Sequence, residues 1–531
     1  MELLVILGIL VLCFVYYSHR KRQNMIDYFA KKRIPFDEPR SGFAFLKSVL
    51  TGSIVEVLKR MYQSRPNEKL FGFYNRAIPG YFLRDPTVIK KIAIKDFDYF
   101  VDHRALLNPD HDTLFGNMLV VLRGQKWRDM RSALSPAFTG NKMRLMFELV
   151  SQCGMQFAQF CEDECTKNGP RVYDMKEIFS KFTNDVIASC AFGIHCDSLR
   201  DSGNSFFQMG KKFLDFYSLR AMFKFLTILY TPKIARYFDI TFFNNESKRL
   251  FVDIITKNME TRERENIIRP DMIHLLMQLK KGQLKETSAN TTEDSIGAAE
   301  EFSIKNAKVK QAWTDEELIP QCFIFFLAGF DTTSTLMAFT AYELAVNQDV
   351  QTKLYNEINE VNNELNGLPL AYEHIQRMKY LDMVIAEALR KWPPSVFTDR
   401  VCVKDYQYKD EENDLDFTIE EGSIVWIPIL PLHRDEKYFP NPEKFDPERF
   451  SDENKSNINF GAYIPFGAGP RNCIGSRFAL MEAKVILFHL LSKFSIDVCH
   501  ETQVPLKLKR TFVGIVPETI KLTLQPRNHE T

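Results

Sequence analysis

Cys473 stands in a run of turn-forming residues, Pro465-Phe-Gly-Ala-Gly-Pro-Arg-Asn-Cys473-Ile-Gly475, with a helix expected from Ser476. Two glycines and a proline before a cysteine set a loop that presents a thiolate, with backbone N–H groups and the next helix's N-terminus facing the sulfur. Such surroundings lower a thiol's pKa and suit a metal ligand, although the same spacing accommodates a buried cysteine in a tight turn. A second candidate, Ala328-Gly-Phe-Asp-Thr-Thr333, interrupts a long apolar helix. Glycine there costs about 1 kcal/mol against alanine. A threonine hydroxyl can take over a backbone bond and open a groove, and helix packing through small residues would use the same composition. In Trp127-Arg-Asp-Met-Arg131 an indole N–H and a guanidinium share one helix face at i,i+4, two donors that suit the edge of an anionic ligand. In Glu387-Ala-Leu-Arg390 opposite charges meet at i,i+3, which in isolation is an ordinary surface pair.

Several elements must position these groups. Thr314-Asp-Glu-Glu317 is a capping box, and the helix it opens carries the Ala328–Thr333 run. A second helix is expected from Asp349 to about Glu364, and a third from Met378 to Lys391, stopped by Pro393-Pro394. Short β-branched runs between Asp416 and Ile427 read as strands, and Pro431 to Phe450 reads as a Pro/Asn/Asp-rich meander. The chain is therefore expected to be mainly α with small β-sheets. Leu279 to Gln311 is polar enough to be a long exposed loop. Phe213 to Phe243 is rich in Phe, Leu and Tyr punctuated by Lys and Arg, which fits either a core helix or a surface dipping into a bilayer.

Leu3 to Tyr17 is unbroken apolar and aromatic sequence, followed by Arg20, Lys21, Arg22 and then Lys31, Lys32, Arg33. Eighteen helical residues reach roughly 27 Å, enough for the thinner endoplasmic-reticulum bilayer. With no basic start and no small-residue cleavage site, residues 1–18 read as an uncleaved signal-anchor. The basic cluster after the span keeps the rest in the cytosol. Residues 19–40 are then a basic linker and short hinge broken by Pro35 and Pro39, and 41–531 the globular body. Lys+Arg 69 against Asp+Glu 68 gives no field to recruit nucleic acid. The ten cysteines lack zinc-ligand spacing and read as reduced thiols. The 45 Phe against 4 Trp suggest a large apolar interior, and with it an apolar cavity.

Phe466-x-x-Gly469-x-Arg471-x-Cys473-x-Gly475 resembles, position for position, the haem-binding signature of the cytochrome P450 family, in which a cysteine thiolate ligates haem iron. The resemblance implies haem b with Cys473 as axial ligand, Phe466 covering the sulfur, and Arg471 as a propionate partner. Glu387 and Arg390, with Arg449 in Pro447-Glu-Arg449-Phe450, resemble the family's Glu-Arg-Arg triad, which anchors the meander. Ala328 to Thr333 resembles the oxygen-activation motif: Ala328 and Gly329 would leave room for dioxygen, and Asp331 and Thr332 would relay protons to it. Trp127, Arg131 and Arg400 match propionate-binding positions. Aligned with the family's substrate-contact regions are the Leu106 to Val121 loop (Leu114 and Phe115 above all), Phe325, Ser395 to Thr398 (Val396 and Phe397 above all), and Phe512 to Ile515 (Phe512 and Val513 above all).

The resemblance spans nearly the whole chain and implies monooxygenation of lipophilic small molecules. The anchor fits the microsomal branch, fed by an NADPH-dependent reductase, with cytochrome b5 as an optional second donor and no direct NADPH binding. The wording around Gln321-Cys-Phe-Ile-Phe-Phe-Leu-Ala-Gly329 is similar to insect xenobiotic-metabolising members, whose expected substrates are plant toxins and insecticides. The sparse Ile34-Pro-Phe-Asp-Glu-Pro39 departs from the Pro-rich hinge common in that branch. An endogenous steroid or fatty-acid hydroxylase is a narrower alternative. A thiolate-haem isomerase or dehydratase would not need Asp331 and Thr332. A membrane-anchored haem or lipid binder would need neither relay nor complete ligand loop.

Overall fold

A computed structural model describes residues 2–38, 53–75, 78–104, 112–213, 219–241, 243–269, 271–282, 313–511 and 514–527. The helix opened at Thr314 forms its axis. The Glu317 carboxylate accepts the Thr314 N–H at 3.0 Å, and the helix runs Asp315–Ala328. At Gly329–Thr333 it widens into a π-type turn, then resumes as Ser334–Val346. Asp315–Val346 is a helical run apolar and long enough to cross a membrane, yet 61% of its most apolar window lies inside the protein. It is a core helix. The helices Gly140–Asn168, Met175–Phe192, Lys379–Lys391 and Ser476–Lys493 surround it with faces that are almost wholly buried.

The mainly helical expectation with small sheets matches what is observed. A four-stranded sheet takes Leu70–Asn75, Ile78–Leu83, Ile424–Ile427 and Thr398–Val401 in that order. Its register sets Arg400 opposite Val425. A three-stranded sheet joins Arg171–Asp174, Lys521–Pro526 and Phe494–Val498, and Tyr406–Asp410 pairs with Leu415–Ile419 in a hairpin. The second expected helix is Gln348–Leu365 and the third Lys379–Lys391, ending at Trp392 ahead of the two prolines. Of the polar stretch from Leu279, the first two residues close the helix Met272–Lys280, and residues 283–312 lie outside the described residues.

The phenylalanines concentrate over the first half of the long helix. Phe213, Phe243, Phe251 and Phe326 meet one another or Phe323 edge to face, with Phe213 and Phe243 each about 5 Å from Phe323, at 4.9 and 5.0 Å. Phe213 and Phe243 are thus core. Between them, Phe223 is 60% exposed, Tyr237 84% and Phe238 67% on the helices Leu219–Tyr230 and Pro232–Tyr237 and the residue after them. The core reading therefore holds at the two ends of this stretch, while Phe223, Tyr237 and Phe238 between them form an exposed aromatic surface.

A single helix, Glu2–Lys31, begins the described chain, and its last turns pack on the four-stranded sheet. Phe29 is fully buried over Gly72, where a Cβ would come within 2.5 Å of its ring. The Tyr74 hydroxyl donates to the Met25 carbonyl at 2.5 Å, and Lys32 pairs with Glu420 and donates to the Thr418 carbonyl at 2.8 Å. The chain then follows the sheet edge: Gly72 N–H donates to the Pro35 carbonyl at 2.7 Å, and Asp37 N–H to the Gly72 carbonyl at 2.9 Å. Packing on the body begins at Met25, well ahead of residue 41.

Candidate active site

The loop before Cys473 is built on two left-handed glycines, Gly467 at φ +79° and Gly469 at φ +74°. A side chain at Gly469 would be doubly excluded, because a Cβ there would lie 1.9 Å from the Ala93 carbonyl oxygen. Gly467 N–H donates to the Ile464 carbonyl at 3.0 Å, Asn472 N–H to that of Gly469 at 2.9 Å, and Cys473 N–H to that of Phe466 at 2.9 Å. Arg131 clamps the loop from the helix Gly124–Leu134: Nη1 donates to the Asn472 carbonyl at 2.9 Å and Nη2 to its Oδ1 at 2.8 Å.

Cys473 is exposed only to an interior cavity of about 410 Å³. Protein encloses the sulfur, and burial holds the thiol above its ordinary pKa, with the Gly475 N–H and the Arg131 charge offsetting part. This is opposite to the lowering that the turn suggests, because desolvation outweighs the dipoles. Phe466, Trp127, Arg131 and Arg471 share the cavity wall with Cys473, as do Ala328, Gly329 and Thr332 from the long helix. Much of the remaining lining is apolar, including Phe138, Met146, Ile187, Ile324, Phe325 and Leu336. Cys190 is the second cysteine on the wall.

On the long helix the Thr332 hydroxyl donates to the Ala328 carbonyl at 2.6 Å, filling the backbone acceptor that the π-type turn leaves accessible. Gly329 is required by packing: a Cβ there would lie 2.4 Å from the Ile187 side chain. Asp331 is turned away from the cavity. Its Oδ1 is 2.8 Å from Lys176 Nζ, which also donates to the Asp331 carbonyl at 3.0 Å and to Ser334 Oγ at 2.6 Å. Thr333 is buried beside Glu482, whose carboxyl is fully buried and held well above its ordinary pKa by desolvation, only partly offset by that hydroxyl.

Arg471 is held in place by backbone carbonyls. Its Nε donates to the Val101 carbonyl at 2.8 Å and its Nη2 to that of Leu122 at 2.7 Å; Nη2 also lies 3.3 Å from Asp102 Oδ1. Its guanidinium stacks 4.0 Å over the Trp127 ring. Arg400 is fully buried, donates through Nη2 to the Ala468 carbonyl at 2.8 Å, and leaves Nε without a partner. Burial pushes Arg131 and Arg400 down to about 10, and Arg471 is lowered by burial and by these two like charges. Asp102 and Asp399 are the carboxylates facing this group of three guanidiniums, so the cluster suits an anionic ligand. His103, also on the wall, holds Asp399 through Nδ1 at 3.0 Å.

Behind the loop, Glu387 and Arg390 are both fully buried and form a two-bond fork, Nε to Oε2 at 2.7 Å and Nη2 to Oε1 at 2.8 Å. Arg449 Nε lies 3.4 Å from Glu387 Oε1, and Asp446 N–H donates to that oxygen at 2.9 Å. Arg390 Nη1 donates to the His433 carbonyl at 2.9 Å, and His433 Nε2 accepts the Ile464 N–H at 3.0 Å, two residues before Phe466. Burial and the Arg390 charge hold His433 down to about 3, and burial holds His489 down to about 4. Both stay neutral when folded but take up protons below about 6.5 when unfolded. Stability should therefore fall as pH drops from about 6.5 toward 4, a trend that denaturant titrations at stepped pH would register and that His433→Gln should weaken.

The structure brings Cys473, Phe466, Trp127, Arg131, Arg471, Ala328, Gly329, Thr332 and Phe325 to one cavity. Of the expected substrate-contact stretches, Leu119, Val120, Ser395 and Thr398 line it, whereas Leu114, Phe115, Val396 and Phe397 are not among its lining residues. Phe115 packs 6.0 Å from Phe243, Phe397 packs 5.1 Å from Trp426, and Val396 is buried. Phe512 and Val513 lie outside the described residues. From the sequence His103 matches a propionate contact only loosely and is left out, and Cys190 and Lys176 have no local motif; all three reach the site through contacts between segments far apart in the chain.

The cytochrome P450 family model matches residues 43–524. The chain is 43% identical to cytochrome P450 9e2 of Blattella germanica over 521 residues, 95% of each chain. It is 39% identical to probable cytochrome P450 9f2 of Drosophila melanogaster over 491 residues, 91% of each. To cytochrome P450 6k1 of Blattella germanica it is 36% identical over 527 residues, 98% of this chain and 96% of the relative. The chain belongs to the cytochrome P450 family and is a P450 monooxygenase, an enzyme class that carries haem on a cysteine thiolate.

Proposed function

We propose that Cys473 is the axial haem ligand and that the cavity it opens on admits lipophilic small molecules for oxygen insertion, with plant toxins and insecticides as the expected class. The observation that carries this reading is the sharing of one largely apolar cavity by the Cys473 sulfur, Thr332 and Phe325. Thiolate-ligated haem supplies dioxygen activation, the sulfur favouring O–O cleavage. The propionates would meet Trp127, Arg131, Arg400 and Arg471, whose clustered charge and unpartnered Arg400 Nε call for an anion. The apolar wall excludes water and orients substrate by shape.

The Thr332 hydroxyl, now donating to the Ala328 carbonyl, would pass a proton to the cavity as it takes up another from the solvent side. Asp331, partly exposed and paired with Lys176, would resupply that proton from solvent, the other half of the relay. Electrons would come from NADPH through a reductase, with cytochrome b5 as a second donor. Glu2–Lys31 would anchor the chain in the endoplasmic-reticulum membrane with the body cytosolic, and the exposed Phe223, Tyr237 and Phe238 favour a second contact with lipid.

The test is turnover of a panel of lipophilic compounds with reductase and NADPH. No oxygenated product from a protein with an intact thiolate-haem spectrum would overturn the substrate reading. Thr332→Ala should keep consuming NADPH while releasing several-fold more peroxide and less product. The same change at Thr333, buried beside Glu482, should lower thermal stability and leave the product-to-NADPH ratio closer to wild type. An unchanged ratio in Thr332→Ala would remove the proton-relay role from that hydroxyl.

A further inference from the structure

Gln321 lies on the helix Asp315–Ala328, on the face that continues through Ile324, Phe325 and Ala328 along the cavity. It is fully buried. Its Oε1 accepts the Leu119 N–H at 2.9 Å, and its Nε2 donates to the Asn117 carbonyl at 2.7 Å and to the Glu317 carbonyl at 2.8 Å. Only one amide orientation works. Flipped, the NH2 would face the Leu119 N–H and the oxygen would face two carbonyls.

From the other side, Arg471 Nη1 donates to the Leu119 carbonyl at 3.4 Å and Nη2 to the Leu122 carbonyl at 2.7 Å. The turn between them has its own bonds from the Val121 and Leu122 N–H groups to the Met118 carbonyl, at 2.8 and 3.0 Å. Leu119 is held at both its N–H and its carbonyl by side chains of other segments, and Leu119 and Val120 form cavity wall.

We propose that Gln321 is the positioning residue that fixes the Leu119–Val120 wall, and through it which lipophilic molecules fit and which of their carbons is presented for oxidation. This rests on the reading of the cavity as the substrate site. Gln321 touches no reacting atom; it acts through the backbone of the turn. Without it the buried Leu119 N–H loses its acceptor and the half-buried Asn117 carbonyl a donor, and the turn must move to recover water.

The experiment compares wild type with Gln321→Leu and Gln321→Glu in the haem-loaded full chain, using one lipophilic substrate that is oxidised at more than one carbon. In Gln321→Leu the thiolate-haem band should persist, the Leu119 amide should exchange about tenfold faster or more, and the product ratio should shift by about tenfold. Gln321→Glu carries the test if leucine prevents folding. Protonated, its carboxyl can accept from Leu119 and donate to Asn117, so it should restore the wild-type ratio. As pH rises through its pKa, held high by burial, the carboxylate repels two carbonyls and the ratio should move toward that of leucine.

Wild type should show no such pH trend. Unchanged Leu119 exchange in Gln321→Leu would overturn the proposal, as would unchanged product ratios in both variants. Loss of the thiolate-haem band in both would make Gln321 a general support of the fold. Absence of turnover in wild type with the band intact would instead overturn the substrate-site reading.

Discussion

Cys473→Ser should abolish the long-wavelength Soret band of the reduced, carbon-monoxide-bound protein. It should also cut product formation by at least about a thousandfold, some 4 kcal/mol of barrier. Serine is close to isosteric, and the loop is held by groups the substitution leaves alone: the Cys473 N–H to Phe466, the glycine conformations and the Arg131 clamp on Asn472. The fold should therefore survive while the anionic sulfur is lost. A serine hydroxyl titrates far above a thiol and would not give the electron-rich ligand that favours O–O cleavage. Retained haem without the band is the expected spectrum. A normal band would assign the ligand elsewhere, and Cys190 is the other cysteine on the wall to be tested.

Glu387→Ala should destabilise the protein by about 3–5 kcal/mol, the cost of leaving a buried charge unpaired. Three connections fail together in this variant. Arg390 loses both oxygens of its fork, Arg449 loses its carboxylate, and the Asp446 N–H loses its acceptor. Because Arg390 also holds the His433 carbonyl, and His433 holds the Ile464 N–H, the damage should travel to the loop before Cys473. The measurable result is a protein that is purified largely without haem and melts well below wild type. Glu387→Gln keeps one acceptor and a similar shape, so it should retain more haem than alanine. Equal, near-normal haem content in both would show that the meander is held by apolar packing, notably of Phe439, Phe450 and Tyr463, with Ala386 and Met383.

What could be read from the residues was local. The Thr314 cap, the stop before Pro393-Pro394 and the left-handed glycines before Cys473 each depend on a few neighbouring positions, and each appears where its chemistry requires. The direction of Asp331 did not follow from its place in a motif. One residue turns a helix by about 100°, and Lys176 on another helix takes the carboxylate. The motif shows Arg471 as a partner for an anion, but not the Val101 and Leu122 carbonyls that hold its guanidinium in place, which come from a distant part of the chain. Gln321 had no signal at all, since an isolated polar residue in an apolar helix gains meaning only when Asn117 and Leu119 are beside it. Aligned substrate regions placed Leu114 and Phe397 near the cavity in sequence, whereas side-chain direction decides which neighbour reaches the wall.

The docking of the first helix bears on where the chain can be shortened. Trimming at residue 41 would remove Phe29 from its seat over Gly72 and strip the Pro35 and Asp37 partners from the Gly72 backbone. The shortened protein would carry a bare aromatic floor and an open sheet edge, which together favour self-association at working concentrations. A cut placed ahead of Met25 discards the greasy segment and spares the seal, since the Tyr74 hydroxyl still finds its carbonyl.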